Sequence, residues 1–158
     1  MSIIKKFIFI ILVTIFISQA KAAEIKKMGT HKDWETYVIK SDVSKVCFAQ
    51  SKPVLQAPKT STREARLFIT FRPNEKITDE ISITSGYAFN KKNLITAQSG
   101  KNKYKFDMSQ ENFAWMADGK QEKKMIKTMK KGSRIMITGY NQKGSQTIDH
   151  YSLLGFTK

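Results

Sequence analysis

Chemistry in this chain has to be argued from few residues. Histidine occurs only as His31 and His150, and cysteine only as Cys47. Asp149 and His150 are adjacent, and an acid beside an imidazole is the start of a hydrolytic triad. Neighbours on a strand point to opposite faces, however, so these two side chains are not placed to share a hydrogen bond. Cys47 could be a nucleophile with His150 as its base, since catalytic partners meet in space rather than in sequence. Its setting argues the other way: Val46, Phe48 and Ala49 surround the thiol with apolar bulk, which disfavours the thiolate. The expectation is a non-enzymatic protein, with a thiol-dependent enzyme on Cys47 as the alternative.

Metal and cofactor chemistry find no foothold. Two distant histidines and one cysteine make no ligand spacing for zinc. The acids are scattered, where a calcium loop needs them clustered. Gly86, Gly100, Gly119 and Gly132 stand singly, so no glycine-rich loop is available to cradle a phosphate. No cofactor is expected.

The other candidate is a charged surface. Over residues 120–131, at about 100° per residue, Met125, Ile126 and Met129 share one side of a helix. Lys120, Lys123, Lys124, Lys127, Lys130 and Lys131 crowd the opposite arc. Asp118 is the expected N-cap, with Gln121 reaching back, and Gly132 the expected C′ residue. The late lysines also suit the negative end of the helix dipole. Such an arc could dock on anionic lipid or lipopolysaccharide, supported by Lys91, Lys92, Lys101, Lys103 and Lys105 if they lie nearby. It could equally be the solvated face of a helix from a lysine-rich proteome, and both readings stand.

The rest of the chain reads as short β runs: 34–40, 45–50, 65–71, 80–84, 93–97, 103–108, 112–116, 134–140 and 146–151. Turn formers separate them, among them Pro53, Pro58, Pro73-Asn74, Gly86 and the stretch 141–144. Ile81 and Ile83 alternate with Glu80, Ser82 and Thr84, and Tyr104, Phe106 and Met108 alternate with Lys103, Lys105 and Asp107. Both patterns predict strands wet on one face. Runs 34–40, 45–50 and 65–71 are apolar on both faces and predict central strands. Trp34, Phe71, Phe89 and Trp115 fit a core. The fold class expected is mainly β, an antiparallel β-sandwich or barrel with one short amphipathic helix.

Ahead of these runs stands a different kind of sequence. Lys5-Lys6, an apolar run over 7–17 and Ala20-Lys21-Ala22 have the n-region, h-region and A-x-A pattern of a secretory signal peptide. The apolar run is well short of the ~20 residues a membrane-spanning helix needs. Residues 1–22 are therefore expected to be removed, leaving 136 residues with no transmembrane segment in a periplasmic or extracellular location. Residues 23–33 read as a flexible N-terminal segment, and 34–158 as one β domain. Lys5, Lys6 and Lys21 leave with the leader and reduce the formal charge from +15 to +12. A charge of this size draws anionic lipid, lipopolysaccharide, nucleic acid or acidic proteins. Nucleic acid ranks last, because an exported protein does not meet it and no interleaved basic and aromatic motif is present. With a single cysteine, no intramolecular disulfide can form.

Several stretches together resemble the invasion-associated locus B family of exported proteobacterial proteins. They run in order through Trp34, Val46-Cys47-Phe48-Ala49-Gln50-Ser51-Lys52-Pro53, Phe68-Ile69-Thr70-Phe71-Arg72-Pro73, Ser85-Gly86-Tyr87-Ala88-Phe89 and Ala114-Trp115. They close on Met129-Lys130-Lys131-Gly132, Ile137-Thr138-Gly139-Tyr140 and Tyr151-Ser152-Leu153-Leu154-Gly155-Phe156. The resemblance implies an envelope protein and carries over no catalytic residue or cofactor. A role in host-cell association rests on the family's name. Many members have further cysteines after the tryptophan and near the C-terminus; here both are missing, so the disulfide of those members cannot form. The partner expected is an anionic envelope component or an envelope protein, with monomer and dimer both open. Tyr151 to Phe156 is expected to pack as a closing turn against the sheet.

Overall fold

The computed structural model of the chain describes residues 24–41, 44–59 and 62–158. The leader expected over residues 1–22 lies outside them. Two antiparallel sheets stack face to face. The larger is built from β1 (Glu24–His31), β2 (Trp34–Lys40), β3 (Lys45–Ser51), β5 (Ala65–Arg72), β6 (Ile77–Ser85), β9 (Met108–Gln110) and β10 (Phe113–Trp115). The smaller holds β4 (Leu55–Ala57), β7 (Ile95–Ser99), β8 (Asn102–Phe106), β11 (Arg134–Tyr140) and β12 (Gln146–Ser152). Their strand orders are β1-β2-β3-β5-β6-β10-β9 and β4-β12-β11-β7-β8. Among the described residues neither sheet closes on itself, so the architecture is a sandwich and not a closed barrel.

Alternation along the strands supplies the core. Leu67, Ile69, Ile81, Ile83 and Ala114 of the large sheet face Ile95, Ala97, Tyr104, Phe106, Ile135, Ile137 and Tyr151 of the small one, all buried. One helix, α1 (Gly119–Met129), closes the layer by burying Met125, Ile126 and Met129. Asp118 is its N-cap and accepts from the Lys120 amide. Glu122 anchors the first turns, because its carboxylate accepts the Ile81 amide at 2.8 Å beside the end of β10. Gly132 is not the left-handed C′ residue expected. It lies where an added Cβ would stand 3.1 Å from Ser99 Oγ and 3.2 Å from Leu153 Cδ1, so its role is close packing.

Three expectations need correction. Residues 24–31, expected to be flexible, form strand β1, paired along the whole of β2 from Glu24↔Lys40 to His31↔Trp34. Their side chains are mostly exposed on both faces, which removes the alternation that marks a strand. Phe71 and Trp115 are not core residues: Phe71 is 40% exposed, and Trp115 is half-buried on the outer face of the large sheet. Run 103–108 is not one strand, because the chain passes from the small sheet to the large one at Asp107, leaving Met108 exposed in β9.

The closing turn forms as expected. Trp34 donates from Nε1 to the Ser152 carbonyl at 3.0 Å and packs on Phe156 with ring centroids 4.9 Å apart. Gly155 sits at φ +93°, where a Cβ would lie 1.8 Å from the His31 carbonyl oxygen, so only glycine lets the turn seat against the end of β1.

Candidate functional site

The basic arc is real as a surface: Lys120, Lys123, Lys124, Lys127, Lys130 and Lys131 are all exposed. None of them makes an ion pair among the described residues. The fold divides them. Lys124, Lys127 and Lys131 line a cleft of about 580 Å³ where the end of α1 meets the β7–β8 turn and the start of β11. Arg134 adds a fourth cation, and the other lining residues are Ser99, Gly100, Asn102, Thr128, Gly132 and Ser133, with no acid among them. Lys120, Lys123 and Lys130 stand outside that lining.

The walls are fixed by hydrogen bonds behind the charges. Tyr104, buried on β8, meets Thr128 Oγ1 at 2.6 Å and donates to the Lys124 carbonyl at 3.3 Å, pinning the helix to the strand. Ser99 donates to the Arg134 carbonyl at 2.9 Å, tying β7 to β11. The Gly132 amide donates to the Thr128 carbonyl at 2.9 Å. Cations at the helix C-terminus are favoured by the dipole, which accounts for Lys127, Lys130 and Lys131 locally. It does not account for Arg134, which comes from another element. Four convergent cations without a counterion suit a ligand carrying clustered negative charge, such as phosphate.

The supporting lysines are only partly brought in. Lys103 and Lys105 line a neighbouring hollow with Asp107, Asp118 and Gln121, where acids offset them. Lys91 and Lys92 line neither depression.

The catalytic candidates separate. Asp149 is buried and His150 is on the opposite face of β12, as strand alternation requires. Asp149 is held by Arg63 through two bonds, at 2.5 and 3.0 Å, and receives a third from Gln56 at 3.3 Å. It is a structural carboxylate, not an orienter for His150. Cys47 lies on β3 of the other sheet beside Val38 and Phe71. Among the described residues no group of three or more His, Cys, Asp or Glu could hold a metal, and no helix is long and apolar enough to cross a membrane.

One surface feature escaped the sequence reading. On the outer face of the large sheet, Tyr37, Phe48, Phe68, Phe113 and Trp115 form a continuous half-buried row with successive centroids 5.1, 6.1, 6.2 and 5.8 Å apart. This row explains why β2, β3 and β5 are apolar on both sides although only one side is covered.

A family model described as Invasion associated locus B (IalB) protein matches residues 34–158. The match begins at Trp34, so strand β1 precedes it. No curated protein matches the chain.

Proposed function

The chain belongs to the invasion associated locus B family, and from that premise we propose that it is an exported, non-enzymatic envelope protein that binds an anionic envelope component through the cleft beside α1. The observation that carries this reading is the lining itself: Lys124, Lys127, Lys131 and Arg134 converge with no acid among them. The ligand class is a phosphorylated lipid surface, either lipopolysaccharide or a bilayer of anionic phospholipid. The mechanism is electrostatic docking. Each lysine near an anionic bilayer contributes about 1 kcal/mol, falling off within a Debye length.

The test is co-sedimentation of the chain, without residues 1–22, with phosphatidylglycerol vesicles and with lipopolysaccharide, at low and high salt. Binding should weaken steeply with salt. Reversal of Lys124, Lys127 and Lys131 to Glu should weaken it roughly a hundredfold or more. Binding indifferent to salt and to the triple reversal would sink the proposal. Binding to lipopolysaccharide alone would assign the phosphates of that lipid as the target.

A protein partner is the second reading, favoured by the aromatic row, since Tyr, Phe and Trp are enriched at protein interfaces. Crosslinking in the envelope that is lost on Phe48→Glu and kept on the triple lysine reversal would favour it over the cleft. A role in host-cell contact would be a special case of that reading.

A further inference from the structure

The two sheets are not coextensive, and the overhang exposes part of an inner face. Along β2, β3 and β5 the inward positions begin with Trp34, Ser51, Leu67 and Ile69, all buried, with Trp34 packed on Phe156 of the closing turn. Further along, Val38, Cys47 and Phe71 are direct neighbours across the three strands. Strand alternation keeps all three on that same inner face. Among the described residues the small sheet does not reach them: Phe71 is 40% exposed, Val38 and Cys47 are half-buried, and Met28 at the β1 edge is 58% exposed. A hollow of about 270 Å³ opens at the β1 end of this row, lined by Glu24, Lys26, Met28, Val38, Lys40 and Lys45; Val38 joins it to Cys47 and Phe71, which lie beyond its lining. Lys26, Lys40 and Lys45 make no ion pair among the described residues.

We propose that this shelf binds the single acyl chain of an anionic lipid, its tail along the Val38-Cys47-Phe71 row and its head group at Lys40 and Lys45. Three observations select that occupant. The floor is one side chain wide, too small for the roughly 800 Å² a folded protein partner covers. The rim carries three cations against one acid, and long lysine stems can lie over an alkyl chain while their heads meet its charge. A second copy of the chain docked on the same patch would bring its own lysines face to face with these, since a two-fold contact pairs a surface with itself. The shelf shares no residue with the cleft beside α1, and the proposal stands or falls separately from the docking function.

Cys47 is the only cysteine, which makes it a reporter on the shelf floor. The experiment follows its alkylation by N-ethylmaleimide in the folded protein, with and without oleate below its micelle concentration, and with uncharged 1-oleoylglycerol for comparison. Oleate should slow alkylation at least tenfold in a saturable manner, with 1-oleoylglycerol markedly less effective. Lys40→Glu with Lys45→Glu, both surface changes, should shift the oleate midpoint upward by tenfold or more. The Lys124, Lys127 and Lys131 reversal should leave protection unchanged. An alkylation rate indifferent to oleate overturns the proposal. So does a thiol closed to the reagent without lipid, because the shelf is then covered, and so does protection that rises with protein concentration alone, which would mean a second copy.

Discussion

The protein holds charge in two opposite ways. Asp149 is 1% exposed and Arg63 9% exposed by side chain, and they meet between β12 and the segment leading into β5, with Arg63 also donating to the Ser85 carbonyl and lying over the Tyr87 ring. In the cleft beside α1, Lys124, Lys127, Lys131 and Arg134 face water with no acid among the lining residues. The first arrangement spends its charges on the fold. A buried ion is tolerable only when another ion and hydrogen bonds replace its water. The second leaves its charges unspent, and like charges at i,i+3 and i,i+4 spacing along α1 weaken the helix slightly. A surface that costs stability and returns none within the chain is where a partner is expected.

The largest effect should come from breaking the buried pair. Asp149→Ala leaves Arg63 desolvated opposite nothing, and a loss of about 3–5 kcal/mol is expected in urea unfolding. The double change Arg63→Met with Asp149→Leu should cost less than either partner's single truncation, because no charge is left stranded. A double change as damaging as Asp149→Ala would mean that the hydrogen bonds from Gln56 and to Ser85, and not the charges, hold the region.

The exposed arc should answer in the other direction. Lys120 sits in the first turn of α1, at the positive end of the helix dipole and four residues before Lys124. Lys120→Glu should therefore stabilise the protein, by about 0.5–1 kcal/mol, through the dipole and a new pair with Lys124. Because Lys120 lies outside the cleft lining, lipid binding should fall only modestly. Lys127→Glu should do the reverse, gaining no stability while weakening binding by an order of magnitude. Equal binding losses for both variants would mean that the whole arc acts as a diffuse field rather than through the cleft.

The two regions also differ in how far sequence could reveal them. The helix was legible because Met125, Ile126 and Met129 repeat with its period and Asp118 stands at its start; most strands were legible because alternation is local. The cleft was half legible. Its lysines come from one helix, but Arg134, Ser99 and Asn102 reach it from other elements, and no spacing along the chain joins them. The Arg63–Asp149 pair spans 86 positions and left no local trace. Alternation assigns residues to a face without saying which face will be covered, and this is why Trp115 and Phe71 were placed in the core. For Phe71, on the inner face, the extent of the overlap between the sheets decides that; Trp115 lies on the outer face, away from the small sheet, and β1 has no apolar side to betray it.

Between the buried pair and the open cleft lies a third case, a charge paired but wet. Glu35 accepts from Lys27, from Gln50 at 3.1 Å and from Tyr37 at 3.0 Å on the outer face of the large sheet. The Lys27 hydrogen bond, then that of Gln50, hold its carboxyl down to about 2 from an ordinary 4.5. A depressed acid contributes stability that is present above its unfolded value and lost as the pH falls through the folded one. The window is therefore pH 4.5 down to 2, and within it the melting temperature of the native chain should fall further than that of Glu35→Gln. Above pH 5 the gap between them should be constant, and molar salt should narrow it, because exposed pairs are screened where buried ones are not. A gap that ignored salt would place Glu35 with Asp149, as a charge the fold has desolvated, and the division between spent and unspent charge would then reach the surface of the sheet that binds β1.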